Sequence, residues 1–397
     1  MAESTPTSAR TAALYTLTAA YFTMGTNTMA AIGGLPAIAQ GLHSTPAQIA
    51  PLTAVFALTF AIAAPLIQML FGHLPRRRLL MTGLLLAMLG ALASALARDV
   101  PTLMATRVLT ALGAAAIGPV ASAIGTTLVA REHHGRALAT VFMGMTIASV
   151  VSLPLTTWLA AHVGWRVMFM CVAALNVSTA LAVLLLVRDG GLGSRLPLPD
   201  LARLLLQPGI ASGVAVVMFE MGGFFISYTL IVPLLHEHFG MAPGLLEIAL
   251  VTFGVAGILG NFFARAAADR WAADKALTLA LSALAIIYLT GYVLPPFAAS
   301  AFAMLVAWAV ANDLFMPSQQ RRLVELAPDA RAMVLALNAS ALYLGMSGGS
   351  ALSGWIDHQW GTRPLLLASA LAMLGGLMAL KLSRQAQRNV AVCAASA

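Results

Sequence analysis

The chain reads as long apolar runs separated by short polar connections. Twelve runs stand out, at residues 11–32, 50–71, 79–97, 101–125, 137–160, 167–187, 209–235, 245–268, 276–294, 297–317, 332–355 and 364–380. Each approaches the ~20 apolar residues that carry a helix across ~30 Å of hydrocarbon. The runs are continuously apolar and rich in Ala and Leu, without the in/out alternation of a membrane barrel, so helices are predicted rather than strands. The first run is longer than a signal-peptide core and is read as a retained span. The expected fold class is an all-α membrane protein with twelve transmembrane helices.

Composition points the same way. Of 397 residues, 60% are hydrophobic and 9% charged, against about a quarter charged in ordinary soluble domains. A water-soluble globular fold is excluded. The formal net charge of +8 would suggest a nucleic-acid partner in a soluble protein, but its placement argues otherwise. Eighteen of the 22 Lys and Arg residues fall in alternate connections, among them Arg76, Arg77, Arg78, Arg270, Arg321 and Arg322. The opposite side holds Arg98, Arg166 and Arg363, and Arg107 lies inside the fourth run. By the positive-inside rule both termini are cytoplasmic, and the basic excess is a topology signal in a multi-pass protein of the cytoplasmic membrane. Cys171 and Cys393 form no ligand cluster or disulfide framework.

A Gly- and Pro-containing stretch at 188–208 divides the runs six and six. The expected domains are therefore a six-helix bundle at 1–187, a cytoplasmic linker at 188–208, and a second six-helix bundle with a short tail at 209–397. Weak internal similarity supports a duplication. Arg136-Ala137-Leu138 returns as Arg331-Ala332-Met333, and Gly164-Trp165-Arg166 as Gly361-Thr362-Arg363. Two like-oriented halves predict a pseudo-twofold axis along the membrane normal and a central cavity suited to alternating access.

On these features the chain resembles the major facilitator superfamily, and within it the twelve-span drug:proton antiporters that include bacterial sugar, nucleoside and chloramphenicol exporters. Gly72 to Arg78 stands where the family has its basic loop between spans two and three, although the usual Asp is missing. Its second-half counterpart keeps Asp269-Arg270. Arg107 and Gly113 resemble the span-four motif, in which an arginine precedes a glycine by six positions. Gly144 to Pro154 sits at the glycine-rich antiporter motif of span five, where small residues permit close helix approach and a bend. Many relatives carry an acid in span one, where this chain reads Thr26-Asn27-Thr28, so no proton role transfers from that position. The resemblance implies gating or structural roles for Gly72, Arg76, Gly113, Gly144, Pro154, Asp269 and Arg270. It also implies a monomer.

No phosphate-binding loop, nucleotide-fold fingerprint or metal-ligand cluster is present, so neither enzymatic chemistry, ATP-driven pumping, a cofactor nor a metal is expected. The informative residues are ionisable groups inside spans, each costing about 2.5–3.5 kcal/mol at a helix centre and usually facing a cavity. Glu220 lies mid-span, where a carboxyl remote from water can exchange a proton near ordinary pH. The alternative is a permanently protonated structural acid. Asp313 is read near the cytoplasmic end of span ten, either facing the cavity or paired with Arg321 and Arg322. Arg107 either attracts an anionic group or holds backbone carbonyls.

Phe224 and Tyr228 follow Glu220 at helical spacing. Trp308, Asn312 and Phe315 recur likewise in span ten. Asn27 and Asn338 are amides needing partners in lipid, as cavity lining or as helix–helix glue. The resulting expectation is a proton-coupled secondary transporter that exports a small organic molecule. Glu220 and Asp313 would handle protons, and Asn27, Arg107, Phe224, Tyr228, Trp308, Asn312 and Asn338 would contact substrate. A facilitator or importer is the alternative, and a non-transporting membrane protein a more distant one.

Overall fold

A computed structural model describes residues 7–129, 134–188, 203–268, 270–293, 295–327 and 330–396. Their architecture is helical, with twelve long helices in chain order: α1 Thr7–Gly33, α2 Pro51–Phe71, α3 Arg76–Leu96, α4 Val100–Thr127, α5 His134–His162, α6 Trp165–Leu186, α7 Pro208–Tyr228, α8 Pro243–Ala268, α9 Ala273–Val293, α10 Ala298–Leu326, α11 Arg331–Trp360 and α12 Pro364–Ser396. Ten are long and apolar enough to cross a membrane. The other two, α1 and α11, have the length but are interrupted by Thr, Ser, Asn and Gly.

Three helices depart from the apolar runs. The seventh run extends to residue 235, but α7 stops at Tyr228. The chain then restarts as Ile231–Pro233 and a single π-helical turn, Leu234–His238. Its hydrophobicity is unbroken, yet Pro233 brings no N–H to the ladder. In the opposite sense α10 continues through Pro317 to Leu326, because one proline removes one hydrogen bond without ending a long helix. Asp313, read near one end of span ten, consequently sits at the middle of α10. Beyond residue 380, where a short tail was expected, α12 continues to Ser396; the Arg, Gln and Ala there are good helix formers.

The chain groups into two compact units, Met1–Thr45 with Ile62–Leu196, and Pro46–Ala61 with Pro197–Ala397. The first half of α2 thus groups with the C-terminal helices, where Ser347 Oγ donates to the Ala54 carbonyl at 2.9 Å and Phe60 stacks on Tyr343 at 3.8 Å.

The duplication recurs in the local structure of each unit. Gly164 opens α6 at φ 95° and Gly361 closes α11 at φ 79°, the left-handed region that suits glycine. The arginine two residues on behaves alike in both. Arg166 lies over the Trp165 ring and donates to the Ala97 carbonyl just past α3. Arg363 lies over the Tyr292 ring and donates to the Tyr292 carbonyl in the last turn of α9. In both cases a cation satisfies carbonyls left over at a helix C-terminus.

Candidate functional site: a buried acid among aromatic rings

In the C-terminal unit, α7 is held on one side by close backbone contact. A Cβ at Gly345 or Gly349 of α11 would overlap the carbonyl oxygens of Met218 or Gly222. Hydroxyls complete the grip: Ser227 meets Ser369 at 2.7 Å, Thr229 meets Ser350 at 2.8 Å, and Ser369 Oγ also donates to the Gly223 carbonyl. In lipid, such van der Waals packing and interhelical hydrogen bonding take the place of a hydrophobic driving force. The helix carrying Glu220 is therefore fixed by its backbone.

Glu220 is fully buried, and neither carboxylate oxygen has a hydrogen-bond partner among the described residues. It interacts electrostatically with Tyr288 of α9 and Asp313 of α10. The Tyr288 hydroxyl, Trp308 Nε1 and Asn312 Oδ1 are also buried without partners. Buried polar atoms are nearly always hydrogen-bonded, so four such side chains on three packed helices call for an explanation.

Aromatic rings cluster on the same helices, and Tyr288, which interacts with the acid, is one of them. Phe224 contacts Tyr228 at 4.6 Å and Trp308 at 5.2 Å between centroids. Phe253 of α8 packs on Tyr228 at 5.6 Å and Trp308 at 5.4 Å, and Tyr288 packs on Trp308 at 5.0 Å. The predicted Glu220–Phe224–Tyr228 face and the Trp308–Asn312 face thus meet. Phe315, from the same stripe, is fully buried.

Asp313 lies beside Gly257 and Gly260 of α8, and a Cβ on Gly257 would come within 2.9 Å of its Oδ2. Arg321 and Arg322 have other partners: Arg321 bonds Glu325 at 2.8 Å, and Arg322 bonds Asp274 at 2.5 Å. Asp313 itself has no hydrogen bond or ion pair among the described residues.

In the N-terminal unit, α1 treats its polar groups differently. Along α1, Thr18 Oγ1 donates to the Thr140 carbonyl at 2.8 Å, Tyr21 meets Ser122 at 2.7 Å, Thr23 meets Thr179 at 2.8 Å and Thr26 meets Ser152 at 2.7 Å. The Asn27 and Asn176 side-chain amides donate to each other's oxygens at 3.2 and 3.3 Å. Arg107 is buried, and its Nη2 donates to the Asn27 backbone carbonyl at 2.9 Å. In this geometry Asn27 and Arg107 tie α1 to α6 and α4. Asn338 accepts from Gln319 at 3.3 Å, and Gln319 also donates to the Gly213 carbonyl, which links α7, α10 and α11.

The remaining motif residues take up packing and capping positions. Gly144 faces the Thr18 carbonyl so closely that a Cβ would overlap it, and Pro154 lies inside α5. Gly113 brings α4 against Gly83 and Ala87 of α3. Gly72 is buried in the turn after α2, and Arg76 donates to the Ala123 carbonyl near the end of α4. Arg270 is exposed, whereas Asp269 lies outside the described residues.

Tyr288, Phe253 and Asn176 are absent from the sequence-derived candidates. A hydroxyl or amide in the middle of a span is a usable signal for Tyr288 and Asn176. A phenylalanine in an apolar run carries none.

Comparisons with known proteins agree with this architecture. The family model for the Major Facilitator Superfamily matches residues 17–311 and again 212–391. The inner membrane transport protein YdhP of Escherichia coli K12 is 30% identical over 333 residues, covering 84% of this chain and 85% of that protein. The chloramphenicol efflux pump Rv0191 of Mycobacterium tuberculosis H37Rv is 28% identical over 396 residues, covering 95% and 93%. Among solved structures, a bacterial homologue of the lysosomal transporter Spinster superposes with a TM-score of 0.75 at 18% identity over 97% of this chain and 98% of that one. A D-xylose–proton symporter gives 0.74 at 16% over 94% and 97%. Twelve long helices, a repeated helix-end motif and a family match over nearly the whole length make this chain a member of the Major Facilitator Superfamily, a membrane transporter and not an enzyme.

Proposed function

We propose that this transporter exports a small organic molecule from the cytoplasm in exchange for protons, with Glu220 as the proton-carrying group. The observation that carries the reading is the pair of carboxylate oxygens at the centre of α7, unpartnered among the described residues, as are polar atoms of Tyr288 on α9 and of Trp308 and Asn312 on α10. An acid retained solely to hold helices together would be bonded, as Asn27 and Asn176 are. An acid that alternately holds a proton and faces cargo is left unsatisfied between those events. Asp313 is the second acid of the site, near enough to bias Glu220 by like charge. Arg107 acts from within the N-terminal unit as a clamp on the α1 backbone.

Export is favoured by the relatives named as chloramphenicol efflux pumps and by the tight glycine contact at Gly144. Both termini face the cytoplasm on the distribution of Lys and Arg. The test is a resistance and metabolite-excretion screen of expressing cells, chloramphenicol included, repeated after the proton gradient is collapsed. The expected result is resistance or excretion that disappears with the gradient. Export that persists unchanged after collapse overturns proton exchange, and uptake in place of export overturns the direction.

A further inference from the structure

We infer that a groove along the lipid-facing side of α9 and α10 is a phospholipid site, with the tails lying in the groove and the phosphate on Arg363 at its outer end. The site is separate from the ring cluster. Ala307 lines the groove while its neighbour Trp308 packs on the rings, and Ile287 and Tyr288 divide in the same way on α9. The inference therefore holds whether or not Glu220 exchanges protons.

The first observation is the lining. The main part of the groove has a volume of about 770 Å3 and lies between α9 and α10, with Phe263 of α8 alongside. A second part of about 210 Å3 shares Ile287, Ala303 and Ala307 with it and continues to Thr290 and Ser300. Ala303, Val306 and Ala307 are exposed along this path. Thr290 and Ser300 are its polar lining among the described residues, and both hydroxyls donate to backbone carbonyls, Thr290 to Ile286 at 2.6 Å and Ser300 to Phe297 at 2.7 Å. A sugar or nucleoside would find no hydroxyl proton here to replace its water, whereas a hydrocarbon chain needs none.

The second observation is size. From Phe302 to Leu314 the main part runs about 18 Å along α10, at ~1.5 Å per residue. Spread over that length, its volume makes a slot about 7 Å across, narrower than the ~10–12 Å of a helix with its side chains. A second copy of the chain therefore cannot lay a helix into it, but methylene chains can enter. A tail from one leaflet reaches about 15 Å, half of the ~30 Å of hydrocarbon, and so fits lengthwise.

The third observation is a cation where the groove ends. Gly291 lines the outer part, and the carbonyl of the next residue, Tyr292, accepts from Arg363 Nε and Nη2 at 3.2 and 3.0 Å. His238 Nε2 lies 3.3 Å from the Gly291 carbonyl at the same place. Arg363 is exposed and forms no ion pair among the described residues, and its Nη1 is left for a further acceptor. It is also one of three bases on the side assigned outside. A guanidinium at headgroup level beside an apolar slot complements a phosphate that carries hydrocarbon tails.

The test is native mass spectrometry of the full-length protein, stripped of lipid in detergent and titrated with palmitoyl-oleoyl phosphatidylglycerol or with the diacylglycerol of the same tails. The expected result is one phosphatidylglycerol retained per chain, with the diacylglycerol roughly fivefold weaker, the contribution of one arginine near a membrane surface. Arg363→Gln should bring phosphatidylglycerol down to the diacylglycerol level. Ala307→Phe fills the slot and should weaken both lipids severalfold, and Ala303→Phe, about one turn away, should do the same. Leu89→Phe, on the exposed face of α3, should leave both unchanged.

Equal binding of the two lipids by the wild type, binding of neither, or full phosphatidylglycerol affinity in Arg363→Gln would overturn the inference. Undiminished binding in monodisperse Ala307→Phe and Ala303→Phe would do so as well. A wild-type dimer that either phenylalanine dissociates would assign the groove to a second copy of the chain and overturn it too.

Discussion

Two helices with central polar side chains, α1 and α7, use them in opposite ways. Along α1, Thr18, Tyr21, Thr23, Thr26 and Asn27 each bond to a neighbouring helix. On α7, Ser227 and Thr229 are bonded similarly, but Glu220 is not. Interhelical hydrogen bonds in lipid contribute on average ~0.6 kcal/mol each, so the seam of α1 is a sum of small stabilising contacts. A carboxyl at a helix centre costs about 2.5–3.5 kcal/mol on insertion scales, several times what one such bond returns. A protein that carries this cost without a compensating partner retains the group for something other than stability. Polarity inside a membrane helix therefore does not identify a functional residue. At Glu220 the polarity is unsatisfied among the described residues, and the proposed role of this residue rests on that difference.

The largest effect expected from breaking this contrast is at Glu220. In proteoliposomes, Glu220→Gln should abolish counterflow driven by a pH gradient while the protein stays folded by circular dichroism. Proton-coupled transport at wild-type rate in that variant would make the two helices equivalent and remove the distinction. The next effect is on placement. Gly349→Ala puts a methyl into the Gly222 carbonyl of the helix that carries Glu220, and Gly144→Ala does the same to Thr18 of α1. Overpacking of this kind costs about 1–3 kcal/mol. Both variants should melt earlier, and Gly349→Ala should lose transport out of proportion to its stability.

Replacing the Asn27–Asn176 pair by two leucines sharpens the comparison from the other side. The expected loss is roughly 0.6 kcal/mol and at most ~1.7, with proton coupling retained, as measured by thermal unfolding and by the same counterflow assay. Coupling lost in the double variant would place Asn27 in the transport pathway.

The smallest effect is at Asp99, outside the membrane, whose Oδ1 caps α4 by accepting from Thr102 N–H at 2.8 Å. That bond holds its carboxyl below the usual carboxylate range. The cap therefore contributes fully above that range and is lost as pH falls through the lowered value. Asp99→Ala should remove this slight acid sensitivity from the melting curve and leave transport unchanged.

Much of the fold was legible because lipid enforces simple rules. A spanning helix announces itself by length and apolarity, and Gly164 and Gly361 with their trailing arginines betrayed the duplication through a shared backbone need. Hydrophobicity could not report where the hydrogen-bond ladder fails, so the break after Tyr228 passed unseen within an apolar run. It also could not show that α10 survives Pro317, and that hid the central position of Asp313.

At the site, the face of Glu220, Phe224 and Tyr228 follows from helical spacing alone. Its meeting with Trp308, Tyr288 and Phe253 does not, since spacing says nothing about which helices face each other. The same gap made Asn27 and Glu220 look alike. Both are polar residues within spans, and the difference between them is the presence of Asn176 across the helix interface.

The most direct test of the account follows the Glu220 carboxyl itself, by infrared difference spectroscopy of the reconstituted full chain as pH is stepped. The account predicts a protonated-carboxyl band that grows as pH falls and is missing from Glu220→Gln. A Glu220 carboxyl band of constant intensity at every pH would mark a permanently protonated structural acid and contradict it.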